Sequence, residues 1–134
     1  MTGRVTVLLV DKDSDFTASL ARDLDGVADT TTIGVMNGLA AMDTLRSTNV
    51  NIVVADYGIA DINGVILLET VKRKWPDVLR VILTDDNGGK IADAVNRGVA
   101  HKVLRKSQTD NLVQIRELIN ECRTIRPPPP DPPN

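Results

Sequence analysis

Short, nearly continuous apolar runs alternate along this chain with segments in which apolar residues recur every three or four positions. Val5 to Val10 is the first run and reads as a strand covered on both faces. From Ser14 to Leu24 the residues Phe16, Leu20 and Leu24 fall on one helical face, and Gly26 stands just beyond as a stop. Thr30 to Ile33 is β-branched and predicts a second strand of weak alternation. Asn37 is placed to cap a helix whose Leu39, Met42 and Leu45 carry the period to about Thr48. Ile52 to Ala55 predicts a central third strand. A turn-rich loop follows from Tyr57 to Gly64, and then a helix from Val65 to Lys74 that Pro76 terminates. Arg80 to Leu83 predicts a fourth strand, Ala92 to Asn96 the body of a fourth helix ending at Gly98, and Lys102 to Leu104 a fifth strand. The last helix is expected from about Gln108 to Arg123, with Leu112, Ile115, Leu118, Ile119 and Cys122 turned inward.

Strands alternating with helices of this length imply parallel βαβ units with right-handed crossovers. The expected fold class is therefore α/β, a three-layer sandwich doubly wound around a five-stranded parallel sheet. Four of the apolar runs lead to a residue with chemical capability: Asp11, Asp56, Thr84 and, two positions past Leu104, Lys106. Parallel strands would put these side chains along one sheet edge, and in open α/β sheets ligands bind in the crevice outside that edge. Two carboxylates, a hydroxyl and an ammonium together suit a metal and a phosphoryl group.

Composition narrows the class. The 134 residues are a normal length for one domain with a single sizeable core. A formal net charge of -2, with acidic and basic residues interspersed, gives no electrostatic case for direct nucleic-acid binding or for an anionic membrane. The single cysteine, Cys122, excludes an internal disulfide framework and fits a reducing compartment. Val7 to Val10 is far too short for a signal sequence core or a membrane span, so a soluble cytoplasmic protein is expected. Aromatics make up 2% of the chain, which argues against base-stacking platforms and aromatic cages. The end of the chain, Pro127 to Asn134, is expected to be neither helix nor central strand, and reads as a proline-rich tail or a linker after a domain spanning 1–126.

Val10-Asp11 after the first strand, Asp56 after the third with Gly64 eight positions on, Thr84 after the fourth and Lys106 after the fifth together resemble the receiver domain of two-component response regulators. The resemblance covers residues 4 to 123. Ala55-Asp56-Tyr57, Trp75-Pro76-Asp77 leading to Arg80-Val81-Ile82-Leu83-Thr84, and Asn96-Arg97-Gly98 are similar to receivers attached to hydrogenase transcription regulators and HD-type phosphohydrolases. The resemblance implies a flavodoxin-like sheet in the order 2-1-3-4-5 and a signalling module rather than an enzyme. It also implies Asp56 as the phosphorylated residue, receiving its phosphoryl group from a sensor histidine kinase or phosphotransfer protein. Thr84 and Lys106 would contact phosphoryl oxygens, and Asp11, Asp56 and Asp13 would be the candidate ligands of a magnesium ion. Phosphorylation would pull Thr84 and the following loop inward and be read on the fourth and fifth helices. The readers would be a C-terminal output domain, a partner protein or a second copy in a homodimer.

The residues also carry blander readings. Asp56 could serve the turn before Asp61-Ile62-Asn63-Gly64, Thr84 could be a strand-end threonine, and a one-residue shift would put Arg105 in place of Lys106. His101 reads as a surface residue before the fifth strand and Cys122 as core packing. A small mononucleotide binder of the same fold is disfavoured, because Lys12-Asp13-Ser14-Asp15 is acidic where a phosphate would need N–H groups and positive charge.

Several positions depart from the family pattern. The usual pair of adjacent carboxylates is here Asp11-Lys12-Asp13, and an ammonium cannot ligate magnesium. Either Asp13 swings in, or the metal binds weakly, or Lys12 points to solvent and Asp11 and Asp56 alone remain. Asp85 and Asp86 follow Thr84 where a small residue is usual, Val103 replaces an aromatic, Ser107 replaces a proline, and Ile59-Ala60 replaces Met-Pro. Asn87-Gly88-Gly89 is expected to leave the loop after the fourth strand permissive. These departures supply the alternative reading, a degenerate receiver acting as a phosphorylation-independent interaction module.

Overall fold

The computed structural model describes residues 4–59, 61–86 and 88–124. Five strands, β1 (Val5–Val10), β2 (Thr30–Val35), β3 (Ile52–Asp56), β4 (Leu79–Leu83) and β5 (Lys102–Leu104), form one parallel sheet in the order β2-β1-β3-β4-β5. Five helices connect or follow them: α1 (Ser14–Leu24), α2 (Gly38–Ser47), α3 (Gly64–Lys74), α4 (Gly89–Asn96) and α5 (Asn111–Thr124). The expected three-layer α/β architecture and strand order are those observed.

The continuous apolar runs are explained by a core on each side of the sheet. Leu8, Val10, Val53, Ala55 and Ile82 pack with Ala41, Leu68, Val71 and Ile91 of α2, α3 and α4. The alternate residues Val7, Leu9, Ile52, Val54, Val81 and Leu104 pack with Leu20 and Leu24 of α1 and with Ile115, Ile119 and Cys122 of α5. A strand covered on both faces has no polar face to display, so period two disappears from the sequence and only the run remains. β2 lies at the sheet edge and its residues are mostly half-buried, which accounts for the weak pattern there.

Element boundaries moved where local hydrogen bonds outweighed periodicity. α5 begins at Asn111 rather than near Gln108, because the Gln108 N–H closes a turn onto the Arg105 carbonyl and the first helical bond runs from Gln114 N–H to Asp110 O. α4 starts at Gly89, earlier than its apolar body, with Gly88 as an N-cap that offers no side-chain bond. Asn37 caps α2 as predicted, its side chain accepting the Ala40 N–H. Gly98 ends α4 at φ +71, a left-handed conformation that side chains with a Cβ adopt only at a cost. Asn87, Ala60 and the tail 127–134 lie outside the described residues.

Candidate functional site

In-register parallel pairing assembles the site. Val10 pairs with Ala55, and Asp56 with Leu83, so Asp11, Asp56 and Thr84 come to the carboxyl ends of three neighbouring strands. The Thr84 N–H donates to Leu104 O at 3.0 Å, which brings in β5 and, two residues later, Lys106. Asp11, Asp56 and Thr84 are 2%, 8% and 6% exposed, a burial that carboxylates accept only with partners or a function.

Lys106 supplies the partner for Asp11. Its Nζ lies 2.8 Å from Asp11 Oδ2, while Asp11 Oδ1 accepts the Asp13 N–H at 2.9 Å. The ammonium is the partner of the otherwise unpaired buried Oδ2. The same ammonium sits 5.0 Å from the centroid of the Phe16 ring, a cation–π distance that steers it over α1 toward the strand ends. Burial lowers the Lys106 pKa, but the bond to Asp11 and the charges of Asp11, Asp56 and Asp13 outweigh it, and the net shift is upward. For Asp56 burial and the Asp11 charge push the pKa up, against Lys106, Lys12 and the Gly58 backbone N–H. Asp56 is thus a carboxylate kept at some cost at the centre of the site.

Glycine at position 64 is required by contact. A Cβ there would lie 2.5 Å from the Asp56 carbonyl oxygen and 2.8 Å from Ile82 Cδ1, so α3 closes on the back of Asp56 only without a side chain. The loop between them is tied by Gly64 N–H to Tyr57 O at 2.9 Å and by Asp61, whose carboxylate accepts the Gly38 and Leu39 N–H groups at 2.8 and 2.9 Å. Bonds from those amides hold the Asp61 pKa below the usual carboxylate value. No local pattern marks this residue, because its partners belong to α2.

The loops after β4 and β5 are latched to each other. Asp85 does not turn toward Asp56; its Oδ1 accepts both the Ser107 N–H at 3.1 Å and the Ser107 hydroxyl at 2.9 Å. These bonds lower the Asp85 pKa. Proline at 107 could not offer that N–H, so the departures at 85 and 107 form one contact. Arg105 donates to Asp86 O at 2.9 Å, which assigns it to the latch and leaves Lys106 as the ammonium of the site. The Asp86 N–H donates to Thr84 Oγ1 at 3.0 Å, so the hydroxyl is coupled to the latched loop. Val103 is half-buried against the α2–α4 core.

Asp13 is engaged on α1. Its side chain accepts the Phe16 N–H at 3.1 Å as the N-cap, and its carbonyl accepts the Thr17 N–H and hydroxyl. Lys12 is exposed between the two fixed aspartates. Another buried charge lies away from the site: Arg80, 4% exposed, gives its guanidinium to the carbonyls of Val99, Pro76, Val78 and Gly98. His101 stands beside it, its Nδ1 accepting the Arg80 N–H at 2.9 Å. A charged residue within an apolar strand was the sequence signal for Arg80. A groove of about 970 Å³ lined by Arg46, Asn51, Trp75 and Asp77 among others holds none of the four strand-end residues.

The model of the response regulator receiver domain matches residues 7–117. The chain belongs to the response regulator receiver domain family. Over 119 residues it is 25% identical to the hydrogenase transcriptional regulatory protein HoxA of Cupriavidus necator; the match covers 87% of this chain and 24% of that one. The chain thus spans about a quarter of the length of that curated relative. It is similar to the signal receiver domain of an HD domain-containing protein from Pseudomonas fluorescens Pf-5, at 26% identity and TM-score 0.82 over 94% of each chain. A receiver domain protein from Methanospirillum hungatei JF-1, 17% identical with TM-score 0.82 over 92% of this chain and 97% of that one, shares the fold. The two groups whose wording this sequence resembles, receivers of hydrogenase regulators and of HD-domain proteins, are both represented.

Receivers of this family typically bind Mg²⁺ in an acidic pocket. The residues here do not fit that group. Among the described residues no cluster of three or more His, Cys, Asp or Glu side chains could hold a metal ion. Asp13 caps α1, and both Asp11 oxygens are already engaged.

Proposed function

We propose that this receiver accepts a phosphoryl group on Asp56 from a histidine kinase or phosphotransfer protein and passes the signal through its α4, β5 and α5 face. The observation that carries the reading is the convergence of Asp11, Asp56, Thr84 and Lys106 at one sheet edge, with the Lys106 ammonium 2.8 Å from Asp11. Transfer to a carboxylate needs positioning and neutralisation of charge more than covalent help. Lys106 is the cation for one phosphoryl oxygen and Thr84 the hydroxyl donor for another. When Thr84 turns to that oxygen, its bond from Asp86 N–H is lost, and the loop held by Asp85, Ser107 and Arg105 must follow. Val95 on α4 and Val113 on α5 are exposed apolar side chains on the two helices that carry this output.

HoxA is named as a transcriptional regulator and is about four times longer than the matched region, which supports an output domain or partner acting downstream of this one. We assign the receiver to 1–126 and read 127–134 as the tail or linker toward that partner. The domain acts as a cytoplasmic signalling module and not as an enzyme, with homodimerisation through the same face as one form of output. No described helix is long and apolar enough to cross a membrane.

The test is incubation of the full chain with acetyl phosphate followed by intact-mass spectrometry. Wild type gains the mass of one phosphoryl group and Asp56→Asn gains none. Equal labelling of both would overturn the assignment, and no labelling of either would favour the phosphorylation-independent module.

A further inference from the structure

We propose that Lys12 stands in for the divalent cation of this site, so that the domain takes up its phosphoryl group without a metal. The inference rests on the phosphoacceptor reading of Asp56 for its consequence, though not for the placement of Lys12 itself. Of the three arrangements open to Asp11-Lys12-Asp13, the structure disfavours the one in which Asp13 swings in. Residue 13 is held at three points: its N–H on Asp11 Oδ1, its carboxylate on Phe16 N–H and its carbonyl on the Thr17 N–H and hydroxyl. Fixing residues 11 and 13 fixes the backbone of Lys12 next to the buried Asp11, and its side chain is exposed. The charge of Lys12 is felt by Asp56, where it acts in the same direction as that of Lys106.

Asp11 and Asp56 bring two negative charges and Lys106 and Lys12 two positive ones, so these four side chains balance, while the Asp13 carboxylate is taken by the Phe16 N–H at the start of α1. With a carboxylate at position 12 the same site would carry a net charge of minus two, the deficit that one divalent cation fills. Lysine at this position changes the charge by the same two units as that cation would. It also removes a ligand and repels any cation that approaches. In the transfer, an Asp56 carboxylate oxygen attacks phosphorus and a C–O–P linkage forms. The N–P bond of a phosphohistidine, or the O–P bond of an acyl phosphate, breaks and its electron pair leaves with the imidazole or carboxylate. No oxidant is needed, and Lys12 and Lys106 neutralise the phosphoryl oxygens throughout.

The experiment uses the full chain as wild type, Lys12→Arg, Lys12→Gln and Lys12→Asp. Mg²⁺ titration is followed by the amide NMR shifts of residues 11, 12 and 56, and acetyl phosphate labelling is timed with Mg²⁺ or with EDTA. Wild type and Lys12→Arg should show no saturable shift with Mg²⁺ and less than about a twofold difference between the two labelling conditions. Lys12→Gln should label about tenfold more slowly in both. Lys12→Asp should bind Mg²⁺ saturably and lose about tenfold or more of its rate in EDTA. Saturable Mg²⁺ binding by wild type, labelling of wild type that needs Mg²⁺, or no Mg²⁺ binding by Lys12→Asp would each overturn the proposal. If Lys12→Asp alone binds Mg²⁺ and no variant is labelled under any condition, the placement of Lys12 holds and the phosphoacceptor reading of Asp56 falls.

Discussion

Replacing Lys106 by methionine removes the ammonium and keeps the length of the stem, so Asp11 is left buried with Asp56 beside it and no opposing charge from β5. The cost follows from exposure: the Asp11 side chain is 3% exposed and that of Lys106 26%. Removing one partner of a fully buried pair costs about 3–5 kcal/mol, whereas an exposed pair contributes about 0–1. A pair sealed at one end and a quarter open at the other falls between, at about 2–3 kcal/mol. The contact with Phe16 adds about 0.5 kcal/mol. Against a total stability of about 5–15 kcal/mol this is a large fraction, equivalent to roughly 10 °C in Tm. Urea unfolding of wild type, Lys106→Met, Asp11→Asn and the double variant measures it. In the Asp11→Asn background no buried charge remains at position 11 to be orphaned, so the cycle should show a coupling of about 2 kcal/mol. A Lys106→Met loss below about 0.5 kcal/mol, or additive single variants, would refute the ion pair as the support of Asp11.

Three further outcomes follow from the same geometry. Asp56 binds its proton more tightly folded than unfolded, so its contribution to stability is full below the unfolded value of 3.8 and is lost as pH rises through the folded one. Asp56→Asn should therefore be more stable than wild type near neutral pH in urea unfolding, with the gap closing toward acid; a gap independent of pH would refute this. Gly64→Ala forces a Cβ to within 2.5 Å of the Asp56 carbonyl oxygen, so it should cost about 1–3 kcal/mol in urea unfolding and slow acetyl phosphate labelling, and an unchanged labelling rate would count against the close approach. Asp85→Ala releases Ser107 from the latch, so hydrogen exchange at the Ser107 amide should accelerate while the unfolding midpoint hardly moves.

The order of elements, the placement of five strands and the arrival of Asp11, Asp56, Thr84 and Lys106 at one edge were legible in the sequence. Burial on both faces writes itself as short apolar runs, and a parallel sheet brings the ends of those runs together whatever lies between them. Gly64 was legible as part of the same spacing, though the reason for it, a helix start pressed against the Asp56 carbonyl, is a distance and not a pattern. What only the tertiary structure decided is how each polar group is engaged. Asp13 could have faced the site and instead caps α1; Asp85 could have faced Asp56 and instead holds Ser107; Arg80 is buried by four carbonyls from the loops around it; and Asp61 ties its loop to the amides of α2. Apolar burial is additive and non-directional, so its signal survives in a one-dimensional pattern. Hydrogen bonds and ion pairs are directional and join residues far apart in the chain, as Asp11 and Lys106 are. Their partners exist only once the sheet has formed.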